Sequence, residues 1–196
     1  MQSEPKKLGW VKEEKMILQG DSQKFLEPNQ VIKKFGLEEG DSFADLGCGP
    51  GFFVIPVARL VGESGKVFAV DVFPNALEEV KNRAEFEGLQ NIELIRADLE
   101  IPKSTGIEDG TIDIVLLSNI LHQANPQKVM AEAVRILKKD GKIIVVDWRK
   151  IKIPFGPPKD GRISVDNVKK IAKEEGLKLK EEFDAGAYHF GLIFGK

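Results

Sequence analysis

The sequence has few of the residues that build disulfides and metal centres, and it has no long apolar run. One residue of 196 is Cys and two are His, so an intramolecular disulfide and a Cys-rich zinc site are excluded. We also predict no His-rich metal centre, and therefore no metal. No apolar stretch approaches the roughly 20 residues that span a bilayer, and the amino terminus lacks the apolar core of a secretion signal. We expect a cytoplasmic protein with no membrane partner.

The chain also has no large excess of positive or of negative side chains. The chain has 29 Lys and Arg against 31 Asp and Glu, a net charge of -2, so no global field favours nucleic acid. A local basic stretch does occur, with few aromatic residues among its cations, which is typical of a solvated loop. It comprises Arg149, Lys150, Lys152, Lys159 and Arg162. We therefore do not expect a nucleic-acid partner.

What the sequence does contain is a regular alternation of short apolar runs with amphipathic stretches, which predicts a parallel sheet covered by helices. Residues 1–196 are expected to form one domain, with a helical cap over 1–40 and an α/β core over 41–196. The predicted strands are Ser42 to Leu46, Lys66 to Asp71, Ile92 to Ala97, Ile112 to Ser118, Lys142 to Asp147, and a final antiparallel pair, Leu177 to Phe183 and Tyr188 to Phe194. The predicted helices are Asn29 to Phe35, Gly51 to Val61, Asn75 to Glu87, Asn125 to Asp140 and Ser164 to Glu175. Residues 100–110 are expected to be a loop.

A glycine-rich loop follows the first predicted strand of the core. Gly47, Gly49 and Gly51 come directly after an apolar run, where a sharp backbone turn without side chains lets a ligand approach. Twenty residues beyond Gly51, the second strand ends in Asp71, at the distance where α/β nucleotide folds place a ribose-binding acid. The third glycine of the dinucleotide fingerprint is replaced here by Phe52. The spacing therefore favours another ligand, although Asp71 leaves an NAD-dependent oxidoreductase as an alternative.

From about Phe35 to Lys196 the chain resembles the class I S-adenosylmethionine-dependent methyltransferases, in particular the small-molecule branch that includes the ubiquinone and menaquinone biosynthesis enzymes. The resemblance implies a doubly wound, Rossmann-like α/β fold. Its mostly parallel, seven-stranded sheet would end in an antiparallel hairpin and form the middle of a three-layer sandwich. It also implies S-adenosyl-L-methionine as cofactor and methyl transfer to a small-molecule acceptor by direct displacement. A non-catalytic module that binds the same cofactor is a second alternative.

The resemblance also assigns the cofactor-binding residues. Asp45 would brace the glycine loop and reach the cofactor's amino group, Asp71 would bind the ribose hydroxyls, and Asp98 would accept the adenine amino hydrogen. The full set is Asp45, Gly47, Cys48, Gly49, Gly51, Asp71, Val72, Phe73, Ala97, Asp98, Leu99, Ser118 and Asn119. For Cys48, a small buried side chain is favoured over a nucleophile.

The catalytic residues are unknown from the sequence. Displacement at a sulfonium mainly needs alignment and exclusion of water, but an acceptor atom that carries a proton also needs a base. The candidates at the ligand-binding edge are His122, Asp147 and His189, with Tyr188 as a hydrogen-bond partner. Because the predicted cap is small, a second subunit could complete the acceptor site, and a homodimer is therefore a hypothesis.

Overall fold

In the computed structural model, which describes Leu26 and residues 28–196, the chain is built around a seven-stranded sheet. Its strands are β1 (Ser42–Leu46), β2 (Lys66–Asp71), β3 (Ile92–Arg96), β4 (Ile112–Ser118), β5 (Leu137–Trp148), β6 (Lys178–Asp184) and β7 (His189–Gly195). The order across the sheet is β3-β2-β1-β4-β5-β7-β6. The first five strands run parallel, and β7 pairs antiparallel with both β5 and β6. This topology confirms the predicted fold class.

The helices that cover the sheet are α1 (Pro28–Lys33), α2 (Val54–Val61), α3 (Pro74–Glu87), α4 (Pro126–Ile136) and α5 (Val165–Glu174), with a 3-10 turn at Lys159–Gly161. Two of them begin at side-chain caps: Asn125 accepts a bond from the Lys128 amide at 3.1 Å, and Ser164 accepts one from Asn167 at 3.2 Å. Such caps satisfy amides that have no partner within the helix. The predicted cap over residues 1–40 lies largely outside the described residues.

Several predicted boundaries differ from the structure by one to five residues, and the largest difference lies at the junction of α4 and β5. The helix expected to continue to Asp140 ends at Ile136, and β5 begins directly at Leu137. Leu137 is fully buried and pairs with Ile112, and the register then shifts before Ile114 pairs with Lys142. A Cβ on Gly141 would lie 2.8 Å from the Asp113 carbonyl. Sheet pairing and the close approach that Gly141 allows therefore override the helical spacing of the apolar residues.

The connection between β3 and β4 contains no helix, as predicted, but it is held firmly. Glu132 of α4 is buried and accepts a hydrogen bond from the Thr105 hydroxyl at 2.6 Å. Arg135 donates to both Glu132 and the Ile107 carbonyl. A polar group on α4 thus replaces the packing that a crossover helix would have provided.

Apolar packing on both faces of the sheet places every ligand-binding element at one edge. Alternate residues of β1 enter different cores: Phe43 packs on the side of α1 and α2, whereas Ala44 and Leu46 pack on the side of α4 and α5. The connection after β1 leads to β2 on one side, and the connection after β4 leads to β5 on the other. These diverging connections open a crevice at the carboxyl ends of β1 and β4. Within residues 28–196 no helix is long and apolar enough to cross a membrane.

Candidate cofactor and acceptor site

The glycine loop after β1 has a backbone that only glycine adopts easily. Gly47, Gly49 and Gly51 all have positive φ, at 86°, 51° and 81°. A Cβ added at Gly51 would lie 2.8 Å from a methyl carbon of Val80 on α3, whereas one added at Gly49 would meet no atom of the described residues within 4 Å. Gly51 is therefore needed for packing of the loop on α3. Gly49 leaves open space beside the backbone, where a ligand can approach.

Asp71, at the carboxyl end of β2, holds this loop in place. One oxygen of its carboxylate accepts the Gly49 amide at 2.8 Å, and the other accepts the Phe73 amide at 2.9 Å. The resemblance assigned the bracing of this loop to Asp45, but in the structure Asp71 accepts these hydrogen bonds. Each carboxylate oxygen has further lone pairs, so Asp71 is still able to accept hydrogen bonds from a diol.

Asp45 is buried beneath the loop, and its Oδ1 has no hydrogen-bond partner among the described residues. Burial, and then the nearby charge of Asp71, raise the pKa of the Asp45 carboxyl from 3.8 to about 8. A buried acceptor without a donor is costly. A ligand with an amine would supply both hydrogen bonds and positive charge at this position.

A second buried acceptor lies at the end of the neighbouring strand, β4. Asn119 adopts a left-handed conformation with φ 53°, and its Oδ1 is also without a partner in the described part of the chain. The backbone there is held by a 2.8 Å bond from the Asn119 amide to the Val146 carbonyl. Strained non-glycine residues of this kind are concentrated at binding sites.

The other predicted cofactor residues surround the ends of β2 and β3. Val72 and Phe73 are 43% and 53% exposed, which leaves apolar surface beside Asp71. The Ala97 amide donates to the Asp71 carbonyl at 3.1 Å and joins the two strand ends. Ala97 and Leu99 are buried, whereas Asp98 between them is exposed. The arrangement suits a flat, partly apolar group with polar atoms at its rim.

Cys48 is buried within the loop, and burial, followed by the charges of Asp45 and Asp71, raises the pKa of its thiol. Because the thiolate is the reactive form, this environment favours an inert side chain. In the described residues, no group of three or more His, Cys, Asp and Glu side chains could hold a metal ion.

The three candidate bases lie close together at the ends of β4, β5 and β7. His122 Nδ1 is 3.0 Å from Asp147 Oδ1, and the two side chains are only 5% and 0% exposed. His189 pairs with Trp148 across β5 and β7, and the two rings are 4.2 Å apart. The structure therefore joins two of the candidates into a hydrogen-bonded pair and packs the third against a neighbouring tryptophan.

Arg162 is a residue of this site that the sequence analysis misassigned as part of a solvated loop. It is 3% exposed, and its guanidinium donates to the carbonyls of four residues of the loop after β5: Arg149, Ile151, Phe155 and Pro157. Its carbon Cζ lies 5.4 Å from the Trp148 ring. Burial lowers the pKa of the Arg162 guanidinium, and the nearby charge of Asp147 offsets only part of that shift. No sequence signal distinguishes Arg162 from the exposed cations around it.

Comparison with known proteins is consistent with this arrangement. A family model described as "Methyltransferase domain" matches residues 37–186, which include every residue of the loop, the strand ends and the His122–Asp147 pair. The chain belongs to this methyltransferase domain family.

Two relatives that the chain resembles are named for different methylation reactions. It is 32% identical over 122 residues to the aklanonic acid methyltransferase DauC of Streptomyces sp. (strain C5), covering 61% of this chain and 54% of that enzyme. It is 30% identical over 129 residues to the ubiquinone/menaquinone biosynthesis C-methyltransferase UbiE of Francisella tularensis subsp. novicida, covering 64% and 50%. The chain thus spans about half the length of these relatives. A crystal structure of a SAM dependent methyltransferase from Aquifex aeolicus superimposes with a TM-score of 0.83 at 29% identity, covering 96% of this chain and 98% of that one.

Proposed function

We propose that this methyltransferase-family chain binds S-adenosyl-L-methionine and transfers its methyl group to a small-molecule acceptor. The observation that carries the proposal is a pair of buried acceptors, Asp45 Oδ1 and Asn119 Oδ1, that have no hydrogen-bond partner among the described residues. They lie beside Gly49, where the described residues leave open space. Together with Asp71 they suit a ligand with an amine at one end and a ribose diol at the other.

In this proposal the residues divide the cofactor between them. Gly47, Gly49 and Asp45 hold the amino-acid end, with Cys48 and Gly51 supporting the loop. Asp71 holds the ribose, and Asn119 with Ser118 lies beside the methionine chain. The adenine lies among Val72, Phe73, Ala97, Asp98 and Leu99. The exposed side chains of Val72 and Phe73 match its flat ring, and the exposed carboxylate of Asp98 matches its amino group.

The cofactor supplies an electrophilic methyl group on a sulfonium, and the protein aligns the acceptor and excludes water. The loop after β5 is suited to that task. Arg162 donates to four of its carbonyls, and the Phe155 ring packs at 4.9 Å against Tyr188. This loop therefore forms a rigid wall next to His122 and Asp147.

The charged side chains of the same loop support a small-molecule acceptor over nucleic acid. Arg162 is buried against backbone carbonyls, and Arg149 is paired with Asp184. Only Lys150, Lys152 and Lys159 of the basic stretch are exposed.

We also propose that a second copy of the chain completes the acceptor site. Sedimentation at micromolar concentration tests this, and a strict monomer would contradict it. The cytoplasmic location stays a prediction.

Calorimetric titration with S-adenosylmethionine and, separately, with NAD tests the proposed cofactor. We expect binding of the first and none of the second. The opposite result would favour the NAD-dependent oxidoreductase. Tight binding of S-adenosylmethionine without methyl transfer to any member of a broad acceptor panel would instead favour a non-catalytic binding module.

A further inference from the structure

His122 and Asp147 form a hydrogen-bonded pair that the cofactor does not require. The two residues come from different elements, the connection after β4 and the end of β5, and they meet with 3.0 Å between Nδ1 and Oδ1. The Trp148 amide donates to the same Asp147 oxygen at 2.7 Å. Asp147 is therefore fixed from two directions, and a fixed carboxylate fixes the imidazole that donates to it.

The bond determines which nitrogen of His122 is basic. A carboxylate accepts hydrogen bonds, so Nδ1 carries the proton and the Nε2 lone pair remains available. Asp147 Oδ2 is buried and has no hydrogen-bond partner in residues 28–196. The carboxylate thus has no other hydrogen-bonded cation there, and the positive charge of a protonated His122 would compensate it.

His122 also lines a cleft, and 5% of its side chain is exposed. The cleft has a volume of about 340 Å³ and lies between α4 and α5. Leu121 and Ile163 provide an apolar surface, Pro126 lies at the start of α4, and Asn167 and Lys170 of α5 line the other side. This volume is enough for one small ring. Besides His122, the polar residues of the lining are Gln127, Asn167, Lys170 and Glu174.

We propose that His122 is the proton acceptor of the reaction, that Asp147 is its positioning residue, and that the cleft takes an acceptor with an acidic hydroxyl, a phenol or an enol. The inference rests on the proposed methyltransferase function. The O–H bond of the acceptor breaks, its proton moves to His122 Nε2, and its oxygen takes the methyl group. The electron pair of the broken methyl–sulfur bond stays on sulfur, so the sulfonium becomes a neutral thioether while His122 becomes a cation.

The acceptor class follows from the acidity of the hydroxyl group. A phenol or an enol is a weak acid, so its proton can move to an imidazole as the oxygen becomes more acidic in the transition state. An aliphatic alcohol is far less acidic, and a neutral amine needs no base before it attacks. A dyad of this kind therefore favours the acidic hydroxyl.

The first test needs neither cofactor nor acceptor. Long-range proton–nitrogen NMR correlations report which ring nitrogen of a histidine carries the proton, and the chain has only two histidines. In the folded protein, His122 should be the tautomer with the proton on Nδ1, because Asp147 accepts a hydrogen bond there. Asp147→Asn should reduce the population of that tautomer, because an amide can also donate to Nδ1. A folded wild type in which Nδ1 of neutral His122 carries no proton would overturn the proposal.

The second test measures transfer from S-adenosylmethionine to catechol, acetylacetone, benzyl alcohol and benzylamine. We expect product with the first two, and a fall in kcat of about 100-fold or more in His122→Gly with the cofactor dissociation constant unchanged. Added imidazole should restore activity to His122→Gly but not to Asp147→Asn, a rescue that a merely structural histidine would not show. Methyl transfer that persists in His122→Gly, or that occurs only with benzylamine, would contradict the role of His122 as the proton acceptor. Failure to bind S-adenosylmethionine contradicts the proposed function itself.

Discussion

At the scale of single residues, Asp45 and Asp71 show how neighbouring carboxylates acquire different roles. Asp45 is the second-last residue of β1 and Asp71 is the last residue of the neighbouring strand β2, and both are buried. Asp71 accepts hydrogen bonds from two backbone amides. Asp45 has an oxygen with no donor among the described residues, and its pKa is raised to about 8 by burial and by the charge of Asp71. The difference lies in local hydrogen bonding, and it makes the two residues testable in different ways.

The role of Asp71 predicts a loss of cofactor affinity. Asp71→Ala should weaken binding of S-adenosylmethionine by about 1.5–3 kcal/mol, the range for hydrogen bonds to a charged group. Calorimetric titration measures this, with Asp140→Ala as the control because Asp140 is an exposed carboxylate at the amino end of β5. An unchanged dissociation constant in Asp71→Ala would argue against the ribose assignment.

The environment of Asp45 predicts a pH dependence of stability. The pKa of Asp45 is higher in the folded protein than in the unfolded chain. The folded state therefore binds more protons than the unfolded state between about pH 4 and pH 8. The stability associated with the protonated form is fully present below pH 4 and is lost as the pH rises through 8. Asp45→Asn cannot ionise, and its urea midpoint should fall less than that of the wild type between pH 5 and pH 8. Parallel pH profiles for the two proteins would disprove the raised pKa.

At the scale of elements, the loop after β5 is ordered by one buried cation. Arg162 donates to four carbonyls of this loop and lies beside the Trp148 ring. A loop held by side-chain donors keeps its conformation only while those donors remain, because its backbone has few other partners. The wall of the proposed acceptor site therefore depends on Arg162.

Arg162→Gln should accordingly destabilise the fold by about 1.5–3 kcal/mol, since it leaves buried carbonyls without donors. Limited proteolysis should cut within residues 149–161 faster than in the wild type. Lys159→Gln, at an exposed cation of the same loop, is the control and should change neither property. Equal cutting rates in Arg162→Gln and Lys159→Gln would show that the loop is held by other contacts.

At the scale of the whole molecule, stability is concentrated in the centre of the sheet. β1, β4 and β5 are buried on both faces by the two cores, whereas β3 and β6 are edge strands with exposed side chains. The carboxyl ends of the central strands carry the Asp45, Asn119 and Asp147 positions. The proposed site is therefore built on the least deformable part of the fold.

This distribution predicts that equivalent substitutions differ with position. Leu116→Ala, at a fully buried residue of β4, should cost about 2–5 kcal/mol of unfolding free energy. Leu94→Ala, at a residue of the edge strand β3 that is 36% exposed, should cost less than about 1 kcal/mol. Urea denaturation at one pH compares them, and similar midpoint shifts in both variants would be inconsistent with a centrally concentrated core.

Most strands were predictable because burial on both faces leaves nearly continuous apolar runs. The starts of α4 and α5 were predictable because Asn125 and Ser164 are good caps. The end of α4 was not, because Leu137 fits a helical spacing equally well and only its pairing with Ile112 makes it a strand residue. Of the site, the glycine loop and the strand-end acids carry sequence signals, whereas the bonding of Arg162 has none.

The sequence by itself determined the fold class, the loop at Gly47 to Gly51 and the acids that follow the strands, because these depend on local conformation and on the period of apolar residues. Only the tertiary structure decided that Asp71 braces the loop, that His122 meets Asp147 and that Arg162 is buried. The first two contacts join residues 22 and 25 positions apart, and they form only when β1 pairs with β2 and β4 pairs with β5. The Arg162 contacts form only when the loop after β5 folds back around the guanidinium.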